Sequence, residues 1–203
     1  MNTEISTKII LLGTFTVHLK ILPIMVVCDT KTDVRPNNSW LPRFGFVFKM
    51  PEGSEQLRYF GYGPEAAYSD MHHAAHLGEF STTVSAEYEP YIRPQEHGAH
   101  AGSRFVTVSH PSGQGLFVCG NNFSFNASRY SPEQLTAAKH HYELMPEVET
   151  TLIIDYKQAG IGSNSCGPGL AEEHQFKEAS FDFSFALKPV VLGDIDPYTQ
   201  MRK

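Results

Sequence analysis

Aromatic rings, glycines and carboxylates crowd one stretch of this chain, Arg58-Tyr59-Phe60-Gly61-Tyr62-Gly63-Pro64-Glu65-Ala66-Ala67-Tyr68-Ser69-Asp70. Its opening aromatics suit a strand. Gly61, Gly63 and Pro64 then predict that the strand ends there, because glycine adopts angles other residues avoid and proline removes a ladder donor. Beyond the break, Tyr62 and Tyr68 lie beside Glu65 and Asp70, and aromatic faces next to carboxylates at a strand end suit the recognition of sugars. A well-packed loop is the bland reading of the same residues.

A second run, Gly160-Ile161-Gly162-Ser163-Asn164-Ser165-Cys166-Gly167-Pro168, has too much glycine and serine for a strand interior. It reads as a tight loop whose small side chains let a ligand approach the backbone, with Ser163, Asn164 and Ser165 supplying donors and acceptors. A plain turn cluster is the alternative. Nothing near Cys166 in sequence would lower its pKa, so it is not read as a reactive thiol. Histidines compete as a third signal. His72 and His76 stand at i and i+4 of a possible short helix over Asp70–Leu77, closed by Gly78, a spacing that zinc sites use. The Glu of a His-Glu-x-x-His motif is missing, since His73 occupies its place. The expectation is therefore no metal and no cofactor.

These residues must be positioned by strands. Thr14–Ile21, Phe44–Lys49, Gln56–Phe60, Arg104–Ser109, Leu116–Cys119, Asn122–Ala127, Thr150–Tyr156 and Ser180–Leu187 alternate or are dense in β-formers. Phe181, Phe183 and Phe185 fall on one face of the last, opposite Asp182, Ser184 and Ala186, and predict a core-lining strand. One helix is expected. Ser131 is its N-cap, with Pro132 at the first position and Gln134 placed for a capping box. Asp29–Asp33 and Arg35–Ser39 read as loops. An all-β antiparallel sandwich with one short helix follows.

Composition bounds the function. A length of 203 residues suits one domain, and 41% hydrophobic content suffices for a core. Net charge −6 with 16 Lys+Arg argues against a nucleic-acid partner. The apolar runs at 9–12 and 21–27 are broken by His18, Lys20 and Pro23, so neither a membrane span nor a signal peptide is expected. Cys28, Cys119 and Cys166 are far apart and form no Cys-x-x-Cys pair. They read as reduced thiols in a cytoplasmic protein. The sequons at Asn37, Asn122 and Asn126 matter only for a secreted chain.

Four blocks in order carry a family resemblance from Trp40 to about Leu187. They are Leu41-Pro42-Arg43-Phe44-Gly45; Gly61-Tyr62-Gly63-Pro64-Glu65 through Asp70; Tyr91-Ile92-Arg93-Pro94-Gln95-Glu96-His97-Gly98, leading through Gly102-Ser103-Arg104 to Asn122–Ser131; and the Gly160–Pro168 loop. Together they resemble the C-terminal domain of the large β-galactosidases of glycoside hydrolase family two, called the small chain where the enzyme is split. The resemblance implies a supersandwich of the galactose mutarotase-like shape, partial here, with residues 1–40 an atypical N-terminal segment (strand plus loop) and 41–203 the small-chain-like sandwich. It also implies that the chain completes the pocket of an enzyme hydrolysing terminal non-reducing β-D-galactosides, together with a large catalytic chain or barrel domain. In the family the Gly160–Pro168 loop reaches the pocket, which makes Ser163, Asn164, Ser165 and Cys166 the expected substrate-binding residues. Some members stack a Trp there, and Cys166 stands at the matching position with little stacking area.

Retaining glycoside hydrolysis needs two carboxyl groups about 5–5.5 Å apart. Glu65, Asp70, Glu87, Glu89 and Glu96 are available, but sequence pairs none of them, and the resemblance places the acid and nucleophile on the barrel. No catalytic residue is therefore expected in this chain. Glu65 and Glu96 are expected to bond loop backbone or Arg104 and Arg129. An unpaired sheet edge predicts self-association. The alternative is a stand-alone carbohydrate-binding sandwich, holding a sugar through Tyr62, Tyr68, Asn164 and Ser165, or a structural remnant without catalysis.

Overall fold

The computed structural model describes residues 5–6, 13–22, 25–34, 40–162, 167–191 and 196–201. Ten strands dominate: β1 (Ile5–Ser6), β2 (Gly13–Leu22), β3 (Met25–Val34), β4 (Arg43–Met50), β5 (Gln56–Gly63), β6 (His76–Thr83), β7 (Ala99–Ser109), β8 (Gln114–Ser128), β9 (Thr150–Gln158) and β10 (Ser180–Val191). Two short helices accompany them, α1 (Pro132–Ala137) and α2 (Pro197–Met201). All ladders between these strands are antiparallel. The fold is the expected all-β sandwich.

β8 organises the layers. Its first half, to Gly120, pairs with β10, and its second half, from Ser124, pairs with β9. Between them Asn122 takes φ 57°, a left-handed angle that asparagine tolerates better than most residues, and the β7 ladder shifts register alongside. The sheet therefore folds over itself, with β4 and β9 facing β3 and β10. Phe46 and Phe48 on β4 meet Phe185 on β10 at centroid distances of 5.3 and 6.3 Å, although the two strands share no ladder. Phe181, Phe183 and Phe185 are all buried, as their alternation predicts. Ser131 caps α1 by accepting from Gln134 N, with Pro132 at its start.

Several expectations are corrected. β5 does not stop at Gly61 but runs on through Gly63, where the next peptide, Gly63–Pro64, is cis. Both glycines are needed inside the strand: a Cβ at Gly61 would collide with Ser103 Oγ, and one at Gly63 with the Tyr59 hydroxyl. Asp70–Leu77 is no helix. It is a turn leading into β6, which contains Gly78, because pairing with β5 from His76 to Thr83 overrides the weak local helix signal. Asp29–Asp33 is not a loop but part of β3, whose thirty-two and thirty positions (Thr32, Thr30) bury while the residues between face solvent. Residues 35–39 lie outside the described residues. Leu116–Cys119 and Asn122–Ala127 are one strand.

Candidate functional site

Asp70 joins two of the blocks singled out in the sequence. It lies within the turn after Pro64 that Tyr68 and Met71 close by bonding each other's backbone, and its carboxylate faces the segment just past β9. Ile161 N donates to Asp70 Oδ1 at 3.0 Å and Gly162 N donates to Oδ2 at 2.8 Å. Two adjacent N–H groups thus share one carboxylate, a charge-assisted arrangement. Gly160 N donates to His174 O at 3.0 Å, and a side chain at Gly160 would strike the Asp70 carboxyl and Leu170. The far side of the loop is tied by Gln175 Nε2, which donates to Leu170 O at 2.7 Å. The predicted binding residues Ser163, Asn164, Ser165 and Cys166 lie outside the described residues. The described residues there are the flanks, Gly160–Gly162 before them and Gly167 onward after them.

A cleft of about 260 Å³ opens beside the first of these flanks, lined by Ser69, Gly102, Asn122, Ser124, Tyr156 and Glu178 among others. Ser69 Oγ is buried with no partner among the described residues, a free hydrogen-bonding group one residue from Asp70. Opposite, Tyr156 and Lys157 both donate to Glu178 at 2.7 Å. Burial works against the Glu178 charge, but these two bonds outweigh it and hold the carboxyl below its usual range. Burial, aided by Glu178, pushes the Tyr156 hydroxyl up to about 12, so it stays a donor.

Tyr68 does not offer an open stacking face. It is buried, and its hydroxyl accepts from Ala99 N at 3.3 Å. Burial drives its pKa well above the ordinary phenol value. Tyr62 is half-buried and lies over Gly102, whose φ of 65° and missing Cβ make room for the ring. Neither Glu65 nor Glu96 meets Arg104 or Arg129. Glu65 is exposed, and Glu96 binds Arg43 through both oxygens, at 2.9 Å each. The same guanidinium reaches Asp155 Oδ2 at 2.6 Å.

Asp155 was not legible as a functional carboxylate, although a lone acid in the apolar run Leu152-Ile153-Ile154 was its signal. Only 1% of its side chain is exposed, and its Oδ1 has no partner among the described residues. Burial pushes its pKa up to about 6, further than Arg43 pulls it back. For Arg43, burial opposes the charge but the two carboxylates win, so its proton is held more tightly than usual. The burial cost of the pair falls on the more enclosed partner. Glu96 and Asp155 thus converge on a cation rather than on an open space between them, which suits scaffolding and not acid–base catalysis. Among the described residues, no three His, Cys, Asp or Glu side chains could hold a metal ion. His72 and His76 share no helical face, since His76 opens β6. No helix among them is long and apolar enough to cross a membrane.

The family model described as β-galactosidase small chain matches residues 2–187, which reaches upstream of Trp40. A β-galactosidase of Staphylococcus xylosus is 42% identical over 180 residues, covering 88% of this chain and 18% of the relative. One from Actinobacillus pleuropneumoniae is 42% identical over 156 residues, covering 76% and 15%. One from Streptococcus thermophilus is 36% identical over 153 residues, covering 73% and 15%. The chain therefore spans less than a fifth of the length of these relatives.

Proposed function

Since this chain belongs to the β-galactosidase small-chain family, we propose that it completes the active-site pocket of a glycoside hydrolase family two β-galactosidase. The catalytic acid and nucleophile lie on a separate barrel domain or large chain, and the assembled enzyme hydrolyses terminal non-reducing β-D-galactosides with retention in the cytoplasm. The observation that carries this reading is the Asp70 carboxylate bonded to Ile161 N and Gly162 N. It fixes the root of the Gly160–Pro168 loop so that Ser163, Asn164, Ser165 and Cys166 can be presented to a sugar bound on a partner. Small loop residues allow the close backbone approach that a pocket wall requires. Self-association through the outer edges of β2 and β6, each paired on one side only among the described residues, is a further part of the proposal. A monodisperse monomer in concentrated solution scattering would contradict that part.

The test is reconstitution. The chain is assayed with a chromogenic β-galactoside alone and then with a β-galactosidase large chain. Activity is expected only on mixing, and Asp70→Ala should lower the kcat/KM of the mixture by about tenfold, the effect of a roughly 1.4 kcal/mol loss in positioning. Hydrolysis by the chain alone would place catalytic groups within it and overturn the assignment.

A further inference from the structure

A second cleft, of about 200 Å³, lies between the turn after β6 and the end of β8. It shares no lining residue with the cleft beside the loop flank. Its walls include Glu87, Tyr88, His97, Ser128, Arg129 and Tyr130. We propose that this cleft is a binding site for a neutral saccharide ring, separate from the Gly160–Pro168 loop.

Two phenol rings supply the flat apolar surface. Tyr88 and Tyr130 stand 4.8 Å apart at 41°, a splayed pair rather than a closed stack, and the His97 ring meets Tyr88 edge-on at 5.4 Å. Such rings suit the C–H face of a sugar. Polar groups surround them with capacity to spare. His97 is buried, and its Nδ1 lies 2.9 Å from Gln95 O, so the hydrogen bond assigns the proton to Nδ1. Nε2 is left as an acceptor without a partner among the described residues. Arg129 uses Nε to donate to Glu147 O at 2.9 Å, which leaves its other N–H groups as donors.

Glu87 is held in place from behind. His100 is fully buried, with Nδ1 2.9 Å from Tyr62 O and Nε2 2.9 Å from Glu87 Oε2. A carbonyl only accepts, so Nδ1 donates. The contact at Nε2 ties Glu87 to the core and leaves Oε1, which has no partner among the described residues, as a fixed acceptor at the cleft wall.

The mixture of acceptors, donors and aromatic faces at the cleft wall, rather than one sign of charge, sets the ligand class. A neutral polyhydroxylated ring can donate to Glu87 and His97, accept from Arg129, and lie against the tyrosines. The site does not depend on whether the chain completes an active-site pocket.

The experiment is an amide chemical-shift titration of the full chain with galactose, glucose and lactose, with sodium acetate and methylammonium chloride as charged probes. At least one sugar should give saturable shifts at Tyr88, Arg129 and Tyr130 with a dissociation constant of about millimolar. The charged probes should not reproduce them. Tyr88→Ala and Tyr130→Ala, each checked for a dispersed native spectrum, should weaken binding about tenfold, while Tyr88→Phe stays within about twofold because the ring is kept. No saturable shift with any of the sugars would overturn the proposal. So would shifts confined to the flanks of the Gly160–Pro168 loop, or binding indifferent to both alanine variants.

Discussion

Two aspartates act at β9, one within the strand and one just past its end, and do so in opposite ways. Asp155 lies within β9, almost fully buried, and takes the Arg43 guanidinium that also grips Glu96. Asp70 reaches the chain just past the end of β9, half-exposed, and takes two backbone N–H groups. The first binds three parts of the sandwich together where water is excluded, so its charge is costly and its partner indispensable. The second pins a loop where water can replace it, so it fixes position without governing whether the chain folds.

Removing the cation should break this contrast most severely. Arg43→Met leaves Asp155 buried without a counter-charge and is expected to cost about 3–5 kcal/mol, read as a fall in the urea midpoint. Adding Asp155→Asn to that variant should recover part of the loss by removing the stranded charge. A double variant no more stable than the single would show that lost packing, not charge, carries the effect.

Acidity gives a smaller and more specific effect. The folded-state pKa of Asp155 is raised to about 6, above the unfolded value of about 3.9. Between these limits the folded chain holds a proton that the unfolded chain does not, so Asp155 makes stability fall as pH rises from about 4 to about 6. The slope is at most about 1.4 kcal/mol per pH unit, and it vanishes above about 6. Urea unfolding should show the stability of the native chain falling relative to that of Asp155→Asn across that window. A difference constant from pH 4 to 7 would contradict the burial argument.

Asp70→Asn should do least to the whole and most to one place. It keeps one carbonyl acceptor and loses the charge and the second. Global stability should change by less than about 1 kcal/mol, while amide exchange at Ile161 or Gly162 quickens about five- to tenfold. A global loss as large as that of Arg43→Met would erase the distinction between frame and loop anchor.

Much of the frame was legible in the chain itself. Alternation located β2, β4 and β9 to within two residues of their ends and β10 four residues short, at Leu187 rather than Val191, and the Ser131-Pro132 start of α1 needed only local chemistry. β3 and β6 were missed for a common reason. Asp29–Asp33 is polar with alternating threonines, and His76–Thr83 is poor in buried apolar residues. Their strand character comes from ladders with β10 and β5, not from their own preferences. The strand end placed at Gly61 failed because glycine was read as a breaker where it serves close approach by Ser103.

The blocks Arg43, Gly61–Asp70, Glu96 and Gly160–Pro168 were each visible as motifs, and their order identified the family. Sequence also determined the all-β class, the buried phenylalanine face and the small-residue character of the loop, because these follow from residue type and period. Which acid met which base was decided only in three dimensions. Glu96 found Arg43 rather than Arg104 or Arg129, Asp70 found backbone N–H groups 91 and 92 residues away, and His100 found Glu87. A hydrogen bond is selected over a few ångströms of space, and spacing along a chain carries no record of how far a folded sheet has brought its ends together.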